Sequence, residues 1–222
     1  MEPRLLSLIM SFSAELRGRT AGDWDAAVTH RFVQQLWHGT AEPAVLRTYF
    51  VQDNQFLDSF VALLGAAVAS ADQAGPRLVL ARQLGLIAGP ENDFFTRALD
   101  ALGVPAAERE APPLSAPTAG FLELMDRTRL GADYGTCLAV LLVAEWLYLD
   151  WADRDGEQPP TDPINREWIE LHRGPAFSAW VDFLRAEFDR IAILVGDDAR
   201  ARLASTFTHV VELERQFFDA AY

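Results

Sequence analysis

The 222-residue chain has no lysine, and its 19 basic residues are all arginine. This absence rules out Schiff-base chemistry, a phosphate-loop lysine and every other lysine-dependent reaction. Cysteine is almost as scarce. With Cys137 alone, the chain has neither a disulfide framework nor a cysteine-rich zinc site. One unpaired thiol fits a reducing, cytoplasmic compartment. Positive charge is also short: 32 acidic residues against 19 basic ones leave a net charge of −13, with no basic run to offset it. Nucleic acid and an anionic membrane surface are therefore disfavoured as partners. The apolar stretch from Leu5 to Met10 is too short for a signal sequence or a membrane span, and no later segment reads as an uninterrupted span. Alternating β-branched runs are few, and no hairpin turn, internal repeat or GxGxxG loop is present.

Half of the residues are hydrophobic and 23% are charged, enough to bury a sizeable core. The dominant pattern is helical. Helices are expected over Leu5–Arg17, Trp24–Trp37, a long Pro43–Ala71, then to about Ile87, and over Glu91–Leu102. Further ones are expected over Thr118–Leu130, Tyr134–Asp153, Pro163–His172, Pro175–Leu194, and from Asp197 to the end. Gly39, Gly103 and several prolines punctuate them. The Pro-rich loop Ala111–Pro117 is too short to be a domain linker. The expectation is a single-domain, all-α bundle of some nine helices.

A functional carboxylate in a bundle should sit among apolar residues three, four and seven positions away. Most acidic residues fail this test: Glu212 lies on a polar face, and Asp150, with Arg154 four residues on, reads as a surface pair. Three residues pass. Asp53 lies among Leu46, Tyr49, Phe50, Phe56, Leu57 and Phe60. Glu145 lies among Cys137 or Leu138, Leu141, Leu142, Tyr148 and Leu149. Glu214 lies among Phe207, Val210, Val211, Phe217 and Phe218. An unpaired buried carboxylate costs several kcal/mol. Each alone could meet a buried arginine or backbone group, but three together point to a shared polar pocket. A di-iron site needs Glu-x-x-His pairs. None of the four histidines lies three residues after a glutamate, so metal is disfavoured. His30 reads as an ordinary helix histidine and Cys137 as a small core residue.

The stretch THRFVQQLWHGTAEPAVLRTYFVQDNQFLDSF, Thr29 to Phe60, resembles the hallmark segment of the TenA (thiaminase II-like) family: a His-x-Phe-Val entry, then Gly-Thr, then Tyr-x-x-Gln-Asp. Ala116-Pro117-Thr118-Ala119 resembles that family's Pro-Thr loop, and LLVAEWLY, Leu141 to Tyr148, its central catalytic helix. The stretch from Glu214 to Tyr222 resembles its closing Glu-x-x-Phe helix. The resemblance covers roughly residues 10–222, which leaves residues 1–9 as an expected N-terminal extension. It implies the all-helical fold of haem oxygenase and a homo-oligomer, tetramer or dimer. It also implies hydrolysis of thiamin-derived aminopyrimidines in pyrimidine salvage. Carried over by position, Asp53 binds the aminopyrimidine edge, Glu214 is the catalytic glutamate and Tyr148 stands beside the reactive centre. The family's nucleophilic cysteine falls at Ala144, followed by Glu145, so the resemblance is to the Cys-less branch with an active-site glutamate. Cys137 is two turns away, about 10 Å along the helix. Phe56 stands where a pyrimidine-stacking tyrosine is usual, and Gly120 where a second tyrosine is usual.

These residues suit C–N hydrolysis without a covalent intermediate, a metal or an organic cofactor. Asp53 would pair with the pyrimidine, while Phe56 and Tyr49 contact its ring. Glu145 and Glu214 would form a coupled acid–base pair. Two rivals stay open: a pyrimidine-binding or regulatory protein without turnover, and a haem or di-iron oxygenase on the same fold.

Overall fold

In a computed structural model, residues 11–87 and 90–222 are described, and residues 1–9, the expected extension, lie outside them. The described residues form thirteen α-helices and no strand. In chain order they are α1 (Phe12–Arg19), α2 (Ala21–Val28), α3 (Arg31–His38), α4 (Pro43–Asp53), α5 (Phe56–Ser70), α6 (Ala74–Ile87) and α7 (Pro90–Ala101). Then follow α8 (Ala106–Glu110), α9 (Ala116–Gly131), α10 (Tyr134–Ala152), α11 (Pro163–Leu171), α12 (Pro175–Leu194) and α13 (Asp197–Asp219).

Helix boundaries follow local chemistry. Asp133 and Asp162 accept hydrogen bonds from Thr136 N and Asn165 N, both at 2.8 Å, and so cap α10 and α11. Pro43, Pro117, Pro163 and Pro175 occupy first turns, where no amide hydrogen is required. Gly39 closes α3 in the left-handed region at φ 63°, a conformation that costs glycine nothing.

The expected count of some nine is too low: the ten segments named above become thirteen helices because two long ones are broken and α8 is an addition. The expected Trp24–Trp37 helix stops at Val28. His30 Nδ1 then accepts from Phe32 N at 3.1 Å, capping α3, and its ring stacks on Phe218. The expected Pro43–Ala71 helix breaks after Asp53. Gln52 donates to Pro113 O (3.0 Å) and accepts from Ser115 N (2.9 Å), while Gln55 donates to Arg109 O (2.9 Å). These two glutamines tie the break to α8 and to the loop before α9, a tertiary demand that periodicity does not register.

Helix α10 is the axis of the bundle and packs against α2, α5, α9, α12 and α13. Its 19 residues are long and apolar enough to cross a membrane by length and composition, contrary to the sequence reading. Here that apolar surface is covered by protein: 78% of its most apolar window is buried. Asp150 is also not the expected surface pair. Its carboxylate accepts from Trp24 Nε1 at 2.9 Å and faces Arg17 Nε at 3.8 Å, while Arg154 turns to Glu157 and Gln34.

Candidate active site

Four helices deliver the residues that the sequence singled out to one cavity of about 410 Å³. Asp53 comes from the last residue of α4, beside the break held by Gln52 and Gln55. Phe56 opens α5, Ala144, Glu145 and Tyr148 lie on α10, and Glu214 lies on α13. All six line the cavity. The three carboxylates are 7%, 8% and 4% exposed respectively, so each has given up most of its hydration. Phe56 meets Phe121 and Phe217 edge-on, which fixes its ring against the wall.

Electrostatics divides the groups. Burial lifts the Glu214 carboxyl well above the usual carboxylate range, and the negative charge of Asp53 lifts it further. Glu214 therefore holds its proton where an ordinary glutamate has lost it. The charged neighbour that raises it is Asp53. Burial and the same Asp53 charge push the phenols of Tyr148 and Tyr49 up, so both stay protonated.

Tyr49 does not touch the cavity. It sits behind it, fully buried, and shares a 2.7 Å hydrogen bond with the Tyr148 hydroxyl. The reason is packing: its ring is enclosed by Phe32, Phe50, Phe217 and Phe218. Gly120 has a physical reason too. A Cβ there would lie 3.2 Å from Leu213 Cδ2, so a larger residue would require the Leu213 side chain to shift. Cys137 is fully buried, and burial pushes its thiol up to about 12, the opposite of an activated nucleophile. It does not line the cavity.

Sequence reasoning missed several lining residues, among them His172, Trp168, Phe121 and Phe177. It set His172 aside once no glutamate preceded it at metal-ligand spacing. Its apolar neighbours Trp168 and Ile169 were the available signal. Glu187 was also overlooked. This buried carboxylate accepts from the Tyr134 hydroxyl at 2.9 Å and pairs with Arg190 at 2.6 Å. These contacts give it a structural role outside the cavity. Among the described residues, no group of three or more His, Cys, Asp and Glu side chains is arranged to hold a metal ion.

An all-α bundle that turns three buried carboxylates and an aromatic wall on one small-molecule cavity belongs to the class of helical proteins with haem oxygenase-like architecture. The chain belongs to the TENA/THI-4/PQQC family, whose model matches residues 19–222. It is 28% identical over 215 residues to an aminopyrimidine aminohydrolase of Bacillus subtilis (strain 168), covering 96% of this chain and 90% of that protein. It is 25% identical over 215 residues to an aminopyrimidine aminohydrolase of Halalkalibacterium halodurans, covering 96% of each. In three dimensions it is similar to a TenA family transcription regulator from Silicibacter sp. TM1040, with a TM-score of 0.82 and 21% identity over 95% of this chain and 96% of that one.

Proposed function

We propose that this protein hydrolyses the C–N bond joining an aminomethyl or formylaminomethyl group's nitrogen to the methylene carbon of a thiamin-type aminopyrimidine. The observation that carries the reading is a cavity with three buried carboxylates, of which Glu214 is held protonated. The names of its two relatives support the substrate class.

Asp53 accepts hydrogen bonds from the amino edge of the pyrimidine, a charge-assisted contact suited to a carboxylate. Phe56 and Tyr148 flank the ring, and Tyr49 steadies Tyr148 from behind. Glu145 takes a proton from water as the water oxygen attacks the methylene carbon. The C–N electron pair passes to nitrogen, which receives the proton of Glu214. Proton transfer from Glu145 back to Glu214 through solvent restores the starting state. No thiol takes part, because Ala144 stands beside Glu145 and Cys137 is sealed in the core. On this reading the protein is a cytoplasmic homo-oligomer, tetramer or dimer, working in pyrimidine salvage.

Glu214→Gln tests the assignment. The amide keeps the shape but has no acidic proton, so ligand affinity should hold within severalfold while kcat falls about a hundred- to ten-thousandfold. A Gln variant with wild-type turnover overturns it.

A further inference from the structure

We infer that His172 contacts the substrate, its Nε2 accepting a hydrogen bond from an N–H on the leaving nitrogen. The inference rests on the hydrolysis proposed above and narrows its substrate class to compounds whose leaving nitrogen carries a hydrogen.

His172 caps the C-terminus of α11 and lines the same cavity as the carboxylates while being buried. Its Nδ1 lies 2.8 Å from the Trp168 carbonyl oxygen. A carbonyl only accepts, so Nδ1 carries the ring hydrogen and Nε2 presents a lone pair. The ring is fixed in place by Tyr148 (centroids 4.8 Å apart), Trp168 (4.4 Å) and Phe177 (5.5 Å). The hydrogen bond that acts on the ring is the one from Nδ1 to the Trp168 backbone, on the side away from Nε2. Burial also pushes the imidazole down to about 4, so the ring is neutral in the neutral range.

A neutral acceptor in an apolar wall discriminates by hydrogen count. Asp53 takes the amino edge of the pyrimidine, leaving His172 for the substituent. An amine or secondary amide supplies the N–H. A fully substituted nitrogen, like that of a thiazolium ring, has none and leaves the Nε2 lone pair desolvated and unmet.

The test measures kcat/KM for a formylaminomethyl-pyrimidine and for its N-methyl analogue, using wild type, His172→Phe and His172→Gln. Wild type should prefer the N–H compound about ten- to a hundredfold, the range for stranding one buried polar group. The Phe variant should lose about that factor on the N–H compound and keep or raise its rate on the analogue, which no longer strands a lone pair. The Gln variant, which retains an acceptor, should recover part of the loss. Equal wild-type rates on the two compounds overturn the inference without recourse to any variant. So does a well-folded Phe variant that loses both equally or neither. Wild-type protein inert towards both compounds, and towards the free aminomethyl-pyrimidine, overturns the proposed function as well.

Discussion

Glu214→Gln should make the stability of the protein less dependent on pH. In the native state, burial and the Asp53 charge raise the Glu214 pKa above its unfolded value, which is near 4.3 for an ordinary glutamate. Below that value both states are protonated and Glu214 contributes its full stability. Above it the unfolded chain has released a proton that the native state still holds. Stability is then lost as pH rises towards the native pKa, by at most about 1.4 kcal/mol per pH unit for one proton. A glutamine cannot titrate, and groups remote from position 214 cancel between the two proteins. The difference, wild type minus variant, should therefore fall as pH rises above the unfolded value of about 4.3 and level off once pH passes the native one. Urea unfolding at half-unit intervals, with shared m-values, measures it directly. A difference that is flat or rises over that range would mean that Glu214 is ionised in the native state, and the acid assigned to the leaving nitrogen would be lost.

Other perturbations separate roles. Asp53→Asn should weaken binding of an aminopyrimidine by about 1.5–3 kcal/mol, ten- to a hundredfold, measured by calorimetry. Glu145→Gln should lower kcat as Glu214→Gln does, and the double variant should be little worse than either, since groups acting as one unit are non-additive. Multiplying effects would make Glu145 a structural residue. Gly135→Ala should cost about 1–3 kcal/mol in denaturant unfolding with kcat unchanged, because its Cβ would lie 3.0 Å from Leu203 Cδ2 and 3.1 Å from Ile191 Cγ2, in the core and outside the cavity.

Much of this architecture was legible from periodicity, because a helix with one apolar face records its burial every three or four residues. The same rule picked out Asp53, Glu145 and Glu214, which stand where only apolar residues should. It failed where the cause lies elsewhere in the chain. The break after Asp53 is held by Gln52 and Gln55 reaching the backbone of residues 109–115, and the break before α3 by His30 docking on Phe218. Tyr49 and Tyr148 share the apolar pattern, yet only Tyr148 reaches the cavity, since the pattern shows that a side chain is inside and not which layer it occupies. His172 shows the same limit: Trp168 and Ile169 mark its position as inside, but its tautomer is fixed by the Trp168 carbonyl, a contact that no spacing rule anticipates.

The most direct test of the central claim is an assay of purified protein with formylaminomethyl-pyrimidine, aminomethyl-pyrimidine and thiamin, with and without prior treatment by a thiol-alkylating reagent. The account predicts release of the hydroxymethyl-pyrimidine from an amine or amide substrate, little cleavage of thiamin, and rates untouched by alkylation. Rapid thiamin cleavage abolished by the reagent would contradict it, because that outcome requires Cys137, buried with its thiol at about 12, to be the nucleophile.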